Sequence, residues 1–375
     1  MDELSHRGAA VTSRHQNPRR TSMLYLAIDL HINQLTIVVL DEAGDAVLRR
    51  QVSTRPDACQ AFLRDVAERA ASQGGFVAML ETCGFEEWLI KELREVECRR
   101  IILVQPTKKK KQKDDRRDAK ELAELMWVNR DRIRRSERLH HLREVEIPTG
   151  KDREDRRLTK LERDLKAERT RHINAAYHIL HRRNVHHDCP TKGIQTKGAM
   201  RWLRNLDLPE ADRLEMNYHL DRWELIDREL EALHARICRE AEAHPIARGM
   251  LPWKGVGAST ALAVGCRIGT IERFERPGGL VNFFGIAPGL NDSGERTGRI
   301  GSITKRGSAI VRFYLGQMAM HAIRVNERLR KWHRGIKRRR GSKTALVAVM
   351  RKLTHFIWHM VHDGVAYDEH YNRVA

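Results

Sequence analysis

Leu24-Tyr25-Leu26-Ala27-Ile28-Asp29 is an apolar run that stops on a carboxylate. Five apolar residues followed by a hydrophilic stop read as a buried strand. A carboxylate at the tip of a central strand stands at the sheet edge where α/β folds gather their sites. Asp also ends strands because it favours turns. What decides between the two is whether other carboxylates arrive beside Asp29.

Working outward, Gln34-Leu35-Thr36-Ile37-Val38-Val39-Leu40 reads as a second strand and residues 46–52 as a third. Residues 56–72 place Ala61, Phe62, Val66 and Ala70 on one helical face. Phe76-Val77-Ala78-Met79-Leu80 is another apolar run, and it too ends on a carboxylate, Glu81. A helix over 86–96 and a strand over 100–104 complete the unit, which Pro106 closes. The cations Lys108, Lys109, Lys110, Lys111 and Lys113 lead into Asp114-Asp115-Arg116-Arg117-Asp118-Ala119, the opening of a further helix.

Asp115 and Asp118 share a helix face. At about 5.5 Å and an effective dielectric of about 20, two such charges repel by roughly 3 kcal/mol, and a bound cation would remove that repulsion. Acids also favour a first helical turn, and Arg116 and Arg117 can neutralise them, so this pair alone leaves both readings open. The element order β-β-β-α-β-α-β-α, with acids at the first and fourth strand tips and on the last helix, is the ribonuclease-H-like arrangement. Hard oxygen ligands suit Mg²⁺ or Mn²⁺, and two ions about 4 Å apart can clamp the attacking and leaving oxygens of a phosphodiester.

The whole chain has 375 residues and a net charge of +20, with 70 Lys and Arg against 50 Asp and Glu. That imbalance calls for a polyanionic partner, nucleic acid first. Aromatics are only 6%, which favours backbone contact over base stacking. No run approaches the roughly 18 apolar residues of a membrane span. Residues 1–22 lack the apolar core of a signal peptide and read as a disordered arm, so the expected location is the cytoplasm. Six scattered cysteines, with no CxxC pair, argue against a zinc site or a disulfide framework.

Residues 136–247 are charge-dense and read as two long helices, 151–181 and 210–243, either a helical, coiled-coil arm suited to dimerisation and nucleic-acid contact or simply a solvated helical bundle. Their expected apolar stripes are Leu158, Leu161 and Leu165, then Leu225, Ile226, Leu230, Leu233 and Ile237. Residues 248–375 read as a mainly α segment. There Lys254-Gly255-Val256-Gly257 is a GxG turn before a helix, similar to the hairpin of helix-hairpin-helix modules that bind phosphate. Ser293 stands in a Gly- and Asn-rich loop followed by Arg296, Arg299, Lys305 and Arg306. Asp-Ser-Gly is an ordinary turn, and spacing alone favours that reading; the functional alternative is a loop serine among cations that attacks a phosphodiester. Lys337, Arg338, Arg339 and Arg340 form a last basic run before a helix over 344–362, expected to touch nucleic acid.

Together, Ile28-Asp29, Leu80-Glu81-Thr82-Cys83-Gly84, Asp115-Arg116-Arg117-Asp118-Ala119, Gly255-Val256-Gly257, residues 285–288, Ser293-Gly294 and Thr304-Lys305-Arg306-Gly307 resemble the DEDD transposases of the insertion-sequence one-ten family, relatives of the Piv DNA invertases. The resemblance runs through nearly the whole chain after residue 23. It implies a RuvC-like domain over 23–135, a linker over 136–247 and a transposase domain over 248–375. It also implies a metal site of Asp29, Glu81, Asp115 and Asp118, and Ser293 as a nucleophile that forms a phosphoserine link to DNA. The family's partners would be duplex DNA at the element ends and target, a structured noncoding guide RNA, and further copies of the chain in a homodimer or tetramer. Phe85 and Glu86 stand where the family commonly carries Tyr, which removes a hydroxyl near Glu81. A junction-resolving RuvC-like nuclease that uses water, with Ser293 incidental, is the alternative activity.

Overall fold

The first strand sorts its side chains by alternation, and the rest of the sheet is laid against the two faces that result. In the computed structural model, residues 23–105, 115–293 and 296–365 are described. The chain divides into two units, Met1–Ile147 and Pro148–Ala375. The expectations for residues 1–22 and for Lys108, Lys109, Lys110, Lys111 and Lys113 lie outside the described residues.

In the first unit the chain runs β1 (Leu24–Leu30), β2 (Gln34–Leu40), β3 (Ala46–Ser53), α1 (Pro56–Ala71), β4 (Phe76–Glu81), α2 (Glu87–Glu95), β5 (Arg100–Val104), α3 (Asp115–Val128), α4 (Arg130–Arg134) and β6 (Glu144–Val145). The sheet order is β3-β2-β1-β4-β5-β6. β1 pairs antiparallel with β2 and parallel with β4, and β4 pairs parallel with β5. The short edge strand β6 was not legible in the sequence, since two residues carry no periodicity.

Leu24, Leu26, Ile28 and Leu30 face the core shared with α1 and α2, together with Phe76, Ala78 and Leu80 of β4. Tyr25 and Ala27, with Val77 and Met79 of β4, face Ala119, Leu122, Ala123 and Met126 of α3. Each fully buried Leu or Ile contributes about 1.5–3 kcal/mol, so both faces are committed and the strand register is held. A Cβ at Gly44, in the turn after β2, would fall 2.3 Å from Trp127 Nε1. The C-terminal end of α3 therefore lies where β1 begins, and its N-terminal end lies toward the tips of β1 and β4.

The second unit contains α5 (Gly150–Arg183), α6 (Lys197–Asn205), α7 (Glu210–Ala243), α8 (Pro245–Met250), α9 (Ala258–Ile268), α10 (Pro277–Phe283), the hairpin β7 (Pro288–Ser293) and β8 (Arg296–Ile303), then α11 (Ala309–Val325), α12 (Glu327–Arg340) and α13 (Ser342–His362). The chain thus joins a mixed α/β N-terminal region to a mainly helical C-terminal part. α5 and α7 pair antiparallel within one chain, as Lys151–Glu240, Arg169–Asp227 and Arg182–Asp212 contacts show.

The expected stripe on α5 is only partly buried: Leu158 packs against the helical core, but polar residues fill much of the contact. Leu161 is half exposed, whereas Asp152, Asp155, Thr159 and Glu162 are buried. Leu225 of α7 is likewise exposed, while Met216, Leu220, Trp223, Ile226 and Ile237 are buried. The reason lies in partners that are distant in sequence. Glu162 accepts hydrogen bonds from Ser259 Oγ of α9 (2.7 Å), Tyr314 Oη of α11 (2.6 Å) and Lys166 Nζ (2.7 Å). Buried Arg267 donates to Thr159 Oγ1 at 3.0 Å and to the Arg156 carbonyl at 3.2 Å. A charge so partnered can be buried, and it displaces leucine from the contact. Among the described residues no helix is long and apolar enough to cross a membrane.

Candidate active site

Asp29 is next to last in β1, and Glu81 is the last residue of β4. Because Ile28 pairs with Leu80 in parallel register, the two carboxylates are neighbours across one strand spacing of about 4.8 Å. Alternation puts Asp29 with Tyr25 and Ala27, and Glu81 with Val77 and Met79, on the face that α3 covers. Asp118 lies one turn before buried Leu122, on the sheet side of the N-terminal end of α3. Asp29, Glu81 and Asp118 are thus brought to one end of one sheet face. Asp115 opens α3, and its side chain lies outside what is described.

Asp29 Oδ2 is 3.0 Å from His31 Nε2, and both side chains are partly exposed. His31 was not singled out in the sequence. The signal was a histidine two residues beyond the acid, at the mouth of the β1–β2 turn. Among the described residues no three His, Cys, Asp or Glu side chains close into a metal-binding group. The donor set nevertheless fits a hard divalent cation, since Asp29, Glu81 and Asp118 offer only carboxylate oxygens. Glu86 folds back on the turn that follows Glu81. Its Oε2 accepts from the Gly84 amide at 2.6 Å and the Cys83 amide at 3.2 Å.

Ser293 is placed differently from expectation. Its stretch is not an open loop but strand β7, with Ser293 at its end in register with Arg296 of β8 and Asn291 in register with Arg299. The side chains of Ser293, Arg296 and Arg299 lie outside the described residues. The base of the hairpin is closed by backbone. Thr304 N–H donates to the Ala287 carbonyl at 2.9 Å and Lys305 N–H to the Gly285 carbonyl at 3.0 Å. A Cβ on Gly307 would fall 2.1 Å from the Phe283 carbonyl oxygen, so only glycine lets the two chains cross there. Lys305 and Arg306 are exposed beside this crossing.

The GxG turn joins α8 to α9, with Lys254, Gly255 and Gly257 exposed. Gly255 has φ +91°, and a Cβ there would meet His321 Cβ at 2.7 Å. Packing alone therefore demands that glycine. Lys337, Arg338, Arg339 and Arg340 form the exposed last turn of α12.

Comparison with known proteins reaches both units. A transposase family model of the DEDD, IS110 type matches residues 26–184. A second, described as the transposase IS116/IS110/IS902 family, matches residues 250–334. The transposase for insertion sequence element IS1111A of Coxiella burnetii is 26% identical over 359 residues, covering 91% of this chain and 91% of its own length.

Proposed function

The chain belongs to the IS110 family of insertion-sequence transposases and is a DNA transposase, and from that premise we propose that it cuts and exchanges DNA strands with a metal-bound acidic site and a serine nucleophile. The observation that carries this reading is the meeting of Asp29 and Glu81 on adjacent strands beneath the end of α3 that bears Asp115 and Asp118. The order β3-β2-β1-β4-β5, with β2 antiparallel to its neighbours, supports a RuvC-like, ribonuclease-H-like domain.

Asp29, Glu81, Asp115 and Asp118 are the residues that would hold Mg²⁺ or Mn²⁺. A divalent cation there supplies charge stabilisation to phosphoryl oxygens in the transition state. Ser293 Oγ attacks phosphorus and gives up its proton. The Oγ–P bond forms, the bond from phosphorus to the departing sugar oxygen breaks, and that oxygen takes up a proton. Attack by the hydroxyl of a second strand reverses the step and restores the serine. The crossing at Gly285 and Gly307 holds the hairpin base, so the strand that ends on Ser293 is presented on a fixed stem. A structured noncoding RNA supplies sequence choice, and the working protein is a homodimer or tetramer.

The test is trapping. Protein, element-end DNA, flanking noncoding RNA and Mg²⁺ are incubated, denatured and resolved for protein covalently bound to DNA. An adduct lost in both Ser293→Ala and Asp29→Asn is expected, with Asp29→Asn cutting the rate at least about a thousandfold, the scale of several kcal/mol of lost charge stabilisation. Cleavage that survives Ser293→Ala would instead identify water as the nucleophile and a junction-resolving enzyme. Adduct formation unaffected by ribonuclease pretreatment would remove the RNA from the reaction.

A further inference from the structure

Beside the acids, on the same sheet face, lies an open cleft of about 560 Å³ lined by Thr36, Ile37, Val38, Arg49, Arg50, Gln51 and Lys120. Among the described residues, its lining includes three cations and no acid. The register ties it to the candidate site: Asp29 pairs with Thr36, and Thr36 pairs with Gln51. Asp29, Thr36 and Gln51 thus form a row across three strands, and the last is two strand spacings, about 10 Å, from the first. Val38 pairs with Arg49, which places Arg49 on this same face, and Lys120 approaches from α3, one turn beyond Arg116 and Arg117 in sequence.

Two further details separate this cleft from an ordinary charged edge strand. Charges on an edge strand serve to deter strand pairing, and that role needs no matching cation from a helix across the face. Thr36 is only 5% exposed, and its hydroxyl has no hydrogen-bond partner among the described residues. A buried polar group left unsatisfied costs about 1–3 kcal/mol, and such groups mark places where a missing ligand belongs. Among the described residues, Lys120 makes a loose contact with Glu124 at 3.6 Å, on an exposed surface.

Resting on the transposase reading, we propose that this cleft is a phosphate subsite for the DNA strand acted on at Asp29 and Glu81. It takes a phosphate flanking the reacting one. Arg49 and Lys120 neutralise that phosphate, Arg50 supports them from the edge of β3, and the Thr36 hydroxyl donates to one of its oxygens at the inner wall. As a phosphate contact, the subsite fixes position and carries no sequence information. Its effect is to fix the strand's position relative to the carboxylates.

The experiment measures binding, so it does not depend on turnover. Full-length protein is titrated with a fluorescent DNA duplex of arbitrary sequence over a series of salt concentrations, with Ca²⁺ present. Arg49→Gln/Lys120→Gln is expected to weaken affinity and to reduce the slope of log K against log salt by about 0.9, the value for one phosphate contact. Lys91→Gln/Arg94→Gln, which removes the same charge from α2, is expected to leave the slope within about 0.5 of wild type. Thr36→Val is expected to weaken binding several-fold while the free protein melts at the same temperature or higher. Neutralising single linkages as methylphosphonates should reveal one position that costs wild type affinity and costs Arg49→Gln/Lys120→Gln nothing. An unchanged slope in the cleft variant, an equal loss in the α2 control, or no such linkage would each overturn the subsite. Failure to trap a serine adduct would sink the transposition chemistry while leaving these binding differences readable.

Discussion

The two units bury their surfaces by opposite means. In the sheet unit, both faces of β1 and β4 are apolar, and polar groups are exported to the strand tips, where Asp29 and Glu81 stand. In the helical unit, the contact of α5 with α9 and α11 is built on buried charge, centred on Glu162 and Arg267. An apolar contact tolerates many partners of the right volume, whereas a buried carboxylate tolerates only a geometry that satisfies it. The sheet is therefore a stiff mount for the carboxylates at its edge. The polar seam specifies one docking of the long hairpin on the C-terminal helices.

Substitutions can break this contrast at either end. The largest expected stability effect is at Glu162. Glu162→Ala strands the Ser259 and Tyr314 donors in a buried site, and should cost about 1–3 kcal/mol for each, read as lost amide-exchange protection in α9. Leu26→Ala in the sheet should cost about 2–5 kcal/mol by leaving a cavity, read as lost protection in β1 and β4 with α9 unaffected. If Glu162→Ala proved neutral, the seam would be incidental packing.

Acidification should distinguish the units next. Burial pushes the Glu162 carboxyl up, but bonds from Lys166, Tyr314 and Ser259 outweigh it and hold the group below the usual range. A depressed folded-state pKa contributes stability that is present above the ordinary glutamate value of about 4.3 and is lost as pH falls through the folded value. Acid titration of α9 protection should therefore show a loss beginning below about pH 4, and Glu162→Gln should flatten it. Asp155 behaves in the opposite sense. Burial raises its pKa and the Lys151 contacts only partly offset that, so protonation of Asp155 does not add to the acid loss. The smallest effect is expected at half-exposed Leu161, where Leu161→Gln should change stability by no more than about 0.5 kcal/mol. A loss of several kcal/mol there would restore leucine to the interface.

The sheet strands were readable because each carries its burial instruction locally. Residues 24–29 and 76–81 are apolar runs with a carboxylate stop, and no distant partner is needed to interpret them. The long helices were also readable as helices, since α7 spans Glu210–Ala243 as expected. Which face α5 buries was not, because Asp152, Asp155, Thr159 and Glu162 look like a solvated face until Ser259, Tyr314 and Arg267 arrive from about a hundred or more residues away. His31 beside Asp29 and the cleft of Arg49, Gln51 and Lys120 escaped for a related reason. They are ordinary surface residues in sequence and acquire meaning only from strand pairing.

By itself, then, the sequence determined strands β1 to β5, the long helices, the candidate acids and the cationic character that calls for nucleic acid. Each of these follows from residue type and short-range spacing. Tertiary structure alone decided that Asp29 and Glu81 are adjacent, that Ser293 ends a strand whose base is held by a glycine crossing, and that polar and charged residues fill the buried face of the N-terminal half of α5. Those depend on register and on long-range hydrogen bonds, which no local pattern encodes because the energy of a polar group is set by whichever partners the fold delivers to it.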